Sequence, residues 1–569
     1  MFDVVLRGGD VVDGTGSARR RADVGVTDGV ITAVGPDLGP GTRELDVTGK
    51  VVAPGFIDLH THYDAQLLWD PDASPSPLHG VTTVIGGNCG FTIAPMAPDH
   101  VDYVMRMMAT VEGMPLGSLT AGPAWDWSGF GEWLDRLEGS VTVNVGFLVG
   151  HSTVRRLVMG DQASQRPATA SEVEAMEELV HDALSDGALG FSSSNGPHLD
   201  GNGDPVPSRL ADRHELVALS GTVRAHEGTT LEFIPGMGEI GPDASALMAD
   251  MSLAGDRPLN WNLLGNLSPT PIYAQQLTAS DDAAARGAKV VALTLPDVMR
   301  MRSDAMIASL PGWSAFMALP VAERRRAAQD PTVRAELSAA ADTLAARGLG
   351  AATSWGLIEV AADEEDSPLA GRTIAELADE AGAEPIEALI DVMAEGLHLT
   401  LLFPSLEPTL GTSDEGWEAR ARVWRDERAV LGGSDAGAHL DLMCHANYTT
   451  VVLGEAVRRR GLLSLEEAVH QLTQVPAELY GLAGRGVVAE GARADLVVFD
   501  PDTVDTGPTV MRHDMPAGGA RLYAGSRGID HVLVNGVEVV TEGAFTGRRG
   551  GTVLRSGRDT ATVHLAGAS

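Results

Sequence analysis

The chain has 569 residues, of which 44% are hydrophobic, enough for a large core with a satellite domain and too many for a disordered protein. Its 41 Lys and Arg against 78 Asp and Glu give a formal charge of −37, a solvated acidic surface that argues against nucleic acid and against anionic membranes as partners. Two cysteines, Cys89 and Cys444, exclude a disulfide framework; with no basic, apolar leader at the amino terminus and no apolar run near the roughly 18 residues that span a bilayer, a reducing, cytoplasmic setting is expected.

Residues 1–50 read as short strands, Asp3–Arg7, Val11-Val12, Asp23–Val26, Val30–Val34 and Glu44–Val47, punctuated by Gly8-Gly9, Asp28-Gly29 and Gly35-Pro36. An apolar run, Val51–Ile57, follows and ends in His60-Thr61-His62. The middle of the chain then alternates. Apolar strand candidates lie at Thr82–Ile85, Val141–Val149, Ala188–Phe191, Thr230–Ile234, Pro258–Asn262, Val290–Leu295 and Ala429–Gly433. Helices are expected at Ala170–Ser185, Asp212–His226, Ile374–Met393 and Ser464–Leu472, the first opening on a capping pattern, Thr169-Ala170-Ser171-Glu172. With Val51–Ile57 in front this makes about eight strands in βα repeats, the signature of a parallel barrel.

Residues about 297–425, mostly helical, are too long for one connection and read as an insertion near the active-site mouth. The strand Ala494–Asp500 and a hairpin, Ile529–Val534 and Val537–Val540 about Asn535-Gly536, return to the texture of the first fifty residues. The expected architecture is therefore an α/β chain. Residues 1–53 and 484–569 together form a small β-sandwich built from both chain ends, and residues 54–483 form a (β/α)8 TIM-like barrel.

In such a barrel the functional groups stand at the C-terminal strand ends. Residues i and i+2 of a strand share a face, so His60 and His62 could reach one metal ion. Cys89, in Gly86-Gly87-Asn88-Cys89-Gly90, is either a buried core thiol or a thiolate ligand. His151, in Gly150-His151-Ser152-Thr153-Val154-Arg155, is a ligand, a substrate donor or a core histidine. Arg155 is either a clamp for a substrate carboxylate or a solvated surface residue. Asp435, in Gly433-Ser434-Asp435, is either a turn residue or a group that binds a metal through one oxygen and takes a proton with the other.

These motifs resemble the metal-dependent amidohydrolase superfamily, and within it the N-acyl-D-amino-acid deacylase (D-aminoacylase) branch. The resemblance rests on Val11-Val12-Asp13-Gly14-Thr15-Gly16, on Ala53–Asp58 leading into His60-Thr61-His62, and on Gly87-Asn88-Cys89-Gly90. Gly150–Arg155, Gly187–Ser193, Gly433-Ser434-Asp435 and the tail Gly484–Asp500 continue it across nearly the whole chain. It implies a barrel with a split β-sandwich, a divalent metal, usually zinc, and amide hydrolysis. The chain departs from the family at strands five and six, where the family has a histidine at each end. Here the strands run Thr230-Leu231-Glu232-Phe233-Ile234 and Leu259-Asn260-Trp261-Asn262-Leu263.

The expectation is thus one Zn²⁺ held by His60, His62, Asp435 and Cys89, with Asp435 as general base, His151 or Asn262 on the developing oxyanion and Arg155 on a substrate carboxylate. Glu232 is a candidate substitute at the altered site, and His198, His439 and His445 stand near strand ends. The partner is a small-molecule amide, an N-acyl amino acid by resemblance, with homo-oligomerisation left open. A cyclic amide or imide hydrolase and a catalytically silent binding protein are the competing readings.

Overall fold

In the computed structural model, residues 1–265, 272–295, 300–346, 354–402 and 413–565 are described; parts of the expected insertion and of the carboxyl-terminal tail lie outside them. Eight strand segments run parallel: β1 (Phe56–Asp58), β2 (Val81–Gly86), β3 (Asn144–Phe147, continued by Val149–Gly150), β4 (Gly190–Ser194), β5 (Thr230–Ile234), β6 (Leu259–Leu264), β7 (Val290–Thr294) and β8 (Ala429–Leu431). They pair in chain order in two runs, β1 to β3 and β3 to β8. Nearly every residue of these strands is buried, as expected of parallel strands covered on both faces, and this is why they read as unbroken apolar runs. Beyond the strand ends Thr61 pairs with Ala436, so the segments that follow β1 and β8 also run side by side.

The two chain ends share one sheet. Its order is Ala544–Phe545, Val537–Thr541, Ile529–Val534, Leu496–Phe499, Val51–Pro54, Phe2–Val11, Arg20–Thr27 and Val30–Gly35, with Gly41–Asp46 added parallel to Phe2–Val11. Val51–Pro54 is the join, parallel to the first strand on one side and antiparallel to Leu496–Phe499 on the other. Leu6, Val24, Ile31, Val52, Leu496 and Leu533 pack into one apolar cluster contributed by both ends. The Asn535-Gly536 turn is left-handed at both positions, as a two-residue hairpin requires.

The helix Ala170–Ser185 forms with the expected capping box, Thr169 accepting from the Glu172 N–H. The run expected as one helix at Ile374–Met393 is two, Ile374–Ala381 and Pro385–Ala394. Gly382 ends the first in the left-handed conformation (φ 62°), and Pro385 opens the second at the turn where a missing N–H costs nothing. The insertion is helical but also holds a three-stranded antiparallel sheet, Arg300–Arg302, His398–Leu402 and Ile358–Ala361. It has its own core around Trp313, Phe316, Ile358, Ile390 and Leu399. Among the described residues no helix is long and apolar enough to cross a membrane.

One buried ionic junction ties the terminal sheet to the parallel strands. Asp495 accepts from the guanidinium of Arg485, from Asn144 Nδ2 of β3 (3.1 Å) and from the backbone N–H of Asn535 (2.7 Å). Its side chain and that of Arg485 are 4% and 3% exposed. Asp495→Ala would strand a buried guanidinium and two further donors. A loss of about 3–5 kcal/mol is expected, the usual cost of removing one partner of a buried pair. The check is the thermal and denaturant midpoint of the variant against the parent.

Candidate metal centre

β1 and β8 are locked together at their ends before any functional side chain is considered. Asp58 Oδ1 accepts from the N–H groups of His60 (3.3 Å) and Ser434 (3.2 Å). Beyond it, the Asp435 N–H donates to the His60 carbonyl (3.0 Å), and the His62 N–H to that of Ala436 (2.7 Å). Gly437 sits so close that a Cβ there would lie 2.4 Å from the His62 carbonyl carbon, and at φ +91°. Only glycine allows this approach.

The backbone places three donor groups around one point. The ligand atoms of His60, His62 and Cys89 all lie within 4.8 Å of one another. Cys89 Sγ is 3.2 Å from His60 Nε2 and 3.7 Å from His62 Nε2. Asp435 Oδ1 reaches the same two nitrogens at 3.5 and 3.1 Å. Adjacent ligands on one zinc ion, each at about 2.0–2.3 Å, stand roughly 3–4 Å apart, so these separations fit a shared ion. Two imidazoles, a thiol and a carboxylate are also a zinc-type donor set.

Cys89 owes its place to the turn after β2, which is left-handed at Gly87, Cys89 and Gly90 (φ 75°, 57° and 76°). Asn88 Nδ2 pins the turn to β1 and β2 by donating to the carbonyls of Thr61 (3.2 Å), Ile85 (2.9 Å) and Leu59 (3.4 Å). From the other side the Cys89 N–H donates to Glu232 Oε2 (3.1 Å) and the Gly90 N–H to Ser192 Oγ (2.7 Å).

The electrostatics favour a cation here. Burial would lower His62, but Glu112 and Asp435 outweigh it and hold the imidazole at about 10. Burial takes His60 down to about 3. Burial raises the Cys89 thiol well above its ordinary value, aided by Glu232, Glu112 and Asp435, so a thiolate at this point needs positive charge beside it. The Asp435 carboxyl lies far below the usual range because its hydrogen bond to His62 and the nearby imidazoles overcome desolvation.

The cluster opens into a cavity of about 250 Å³. Its lining is mostly apolar, with Val111, Ile234, Leu263, Leu293, Leu295 and Met443, and also includes the polar Glu112, Asn262 and Asp435. His198, His439 and His445, singled out in the sequence, all line it. His439 Nε2 is 3.8 Å from Asp435 Oδ2.

Two residues expected at the site are elsewhere. His151 is fully buried, hydrogen-bonded to Ser193 Oγ (2.8 Å) and Glu215 Oε1 (2.9 Å). Arg155 is fully buried as well; its guanidinium donates to Glu215 Oε1 (2.7 Å) and to the carbonyls of Ala163, Pro207 (3.0 Å), Arg166 (2.9 Å) and Leu210 (3.5 Å). Neither lines the cavity. The cause is Glu215, which comes from the helix Arg213–Thr222 and neutralises Arg155 internally. Conversely, Glu112 was not foreseen. It is 3% exposed, and its carboxylate faces His62 Nδ1 at 3.5 Å. It follows the helix Val101–Val111, and no spacing rule marks an acidic residue there.

The chain is 30% identical over 560 residues to the D-aminoacylase of Alcaligenes xylosoxydans xylosoxydans, covering 97% of each chain. A solved D-aminoacylase, studied for the functional role of its binuclear metal centre, superposes with a TM-score of 0.63 at 28% identity, covering 98% of this chain and all of the other. N-acyl-D-glutamate deacylase from Bordetella bronchiseptica, solved with zinc and a phosphonate mimic of the tetrahedral intermediate, gives a TM-score of 0.62 at 25% identity, covering 98% and 100%. The pattern of the Amidohydrolase family matches residues 43–540, and the chain belongs to that family.

Proposed function

We propose that this chain hydrolyses the amide C–N bond of N-acyl-D-amino acids, in a closed (β/α)8 barrel, with one zinc ion held by His60, His62, Cys89 and Asp435. Family membership makes it a hydrolase of amide bonds other than peptide bonds. The observation that carries the rest is the convergence of His60, His62 and Cys89 beside the partly open Asp435 carboxylate in the cavity lining. The deacylase relatives, one of them solved with zinc, support the substrate class and the metal.

A bound zinc supplies Lewis acidity toward the amide carbonyl and makes water a competent nucleophile near neutral pH. The protein supplies the rest. His60 and His62 would hold the metal through Nε2, and Glu112 faces Nδ1 of His62, the arrangement that orients a ligating imidazole. Asp435 turns Oδ1 toward the imidazoles and leaves Oδ2 to take the proton of the attacking water, then returns it to the leaving nitrogen. A cation held between the imidazoles would favour its ionised form for the first of these steps. The apolar wall receives the acyl chain or side chain and excludes water from the reacting amide. Arg155, held internally, takes no part in binding the substrate carboxylate.

Three outcomes are expected. Asp435→Asn keeps the size and one ligand oxygen but removes the base, so kcat on an N-acyl-D-amino acid should fall by about 10² to 10⁴ while metal content stays near that of the parent. Near-full activity in that variant would remove Asp435 from the mechanism. His60→Ala should lose both metal and turnover with an unchanged circular dichroism spectrum; chelation of the parent should do the same, reversed by added zinc. Arg155→Ala should lower the thermal midpoint, because it leaves Glu215 buried beside His151 alone. Preference for a free substrate carboxylate over its amide, read as the ratio of kcat/KM values, should stay as in the parent.

A further inference from the structure

We infer that Glu232 is a positioning residue, which, fixed by Ser192 and Asn262, aims the Cys89 thiol at the two histidines. This rests on the assignment of Cys89 as a ligand. Glu232 is fully buried at the middle of β5 and is outside the group of mutually close ligand atoms formed, among the described residues, by His60, His62 and Cys89. Both of its oxygens are already taken by donors. Oε2 accepts from the Cys89 N–H (3.1 Å) and from the Ser192 hydroxyl, and Oε1 accepts from Asn262 Nδ2. Ser192 in turn takes the Gly90 N–H at 2.7 Å. The turn Asn88-Cys89-Gly90 is therefore gripped from β4 and β5 through its two later N–H groups, and from β1 and β2 through Asn88.

The grip has a physical purpose. Cys89 holds φ at +57°, a left-handed conformation that is unfavourable for a residue with a Cβ. Two buried hydrogen bonds to one carboxylate oxygen and its serine partner offset that cost and fix the direction of Sγ. A carboxylate with both oxygens already taken by donors is a poor metal ligand. Groups that orient ligands in this way typically change metal affinity by about 10–100-fold when removed.

The test uses the full-length protein loaded with Co²⁺, whose near-ultraviolet thiolate-to-cobalt charge-transfer band reports the Cys89 bond and whose visible bands report the histidine ligands. In Glu232→Ala the thiolate band should weaken or vanish and Co²⁺ affinity by titration should fall about 10–100-fold, with the visible bands retained. In Glu232→Gln both should stay close to the parent, because the amide oxygen still accepts from Cys89 and Ser192 and the Asn262 amide can turn to accept from the new NH₂. A thiolate band of parental strength in Glu232→Ala overturns the inference. Equal loss in Glu232→Gln and Glu232→Ala overturns it too, since that is the behaviour of a direct carboxylate ligand. If Glu232→Ala does not fold, Ser192→Ala is the second variant, with a weakened band expected and an unchanged band counting against the inference. A parent that binds Co²⁺ without any thiolate band fails the assignment of Cys89 itself, a result distinct from a band that is present and indifferent to Glu232.

Discussion

The site depends on a backbone contact rather than on any side chain: the pairing of the segments that follow the first and last parallel strands. The Asp435 N–H on the His60 carbonyl, the His62 N–H on that of Ala436 and the shared acceptor Asp58 join regions far apart in the chain. Closing so long a loop costs entropy that three hydrogen bonds cannot supply, each being worth about 1 kcal/mol net. The six intervening strands and their packed helices provide it, so the donor set is assembled only when the parallel strands are complete. Gly437 marks how tight the junction is.

The charge of the centre follows from that geometry. Glu112 and Asp435 face His62, and Glu232 lies behind Cys89; Glu112 and Glu232 are buried, while Asp435 stays partly open to the cavity. Buried carboxylates persist only when positive charge or converging donors answer them. Glu232 has three donors. Glu112 and Asp435 look instead toward the imidazoles, and their field makes the point between the histidines attractive to a cation. The same low dielectric magnifies whatever charge develops on a substrate carbonyl placed there.

Much of this was legible in the sequence because strand geometry is periodic. His60 and His62 share a face by the two-residue repeat, and Cys89 and Asp435 sit just beyond apolar runs that could only be buried strands. The residues whose surroundings the sequence does not reveal are those whose partners come from non-adjacent elements. Arg155 and His151 sit at the end of β3 as expected, but Glu215, more than fifty residues on and on a helix, draws them inward. Glu112 is reached only by knowing how the chain between β2 and β3 folds back. The split of the expected helix at Gly382 was written in Gly382 and Pro385, two helix-stopping residues inside an otherwise periodic run. The small sheet of the insertion joins strands of three to five residues, too short for alternation to declare itself.

The sheet shared by the chain ends has a consequence for synthesis. Val51–Pro54 has one neighbour, Phe2–Val11, as soon as it is made, but the other, Leu496–Phe499, is translated more than four hundred residues later. At about 5–20 residues per second that edge is exposed for roughly 20 to 90 seconds. During that interval Val51, Val52 and Ala53, all fully buried in the finished protein, present an unpaired apolar strand to the cell.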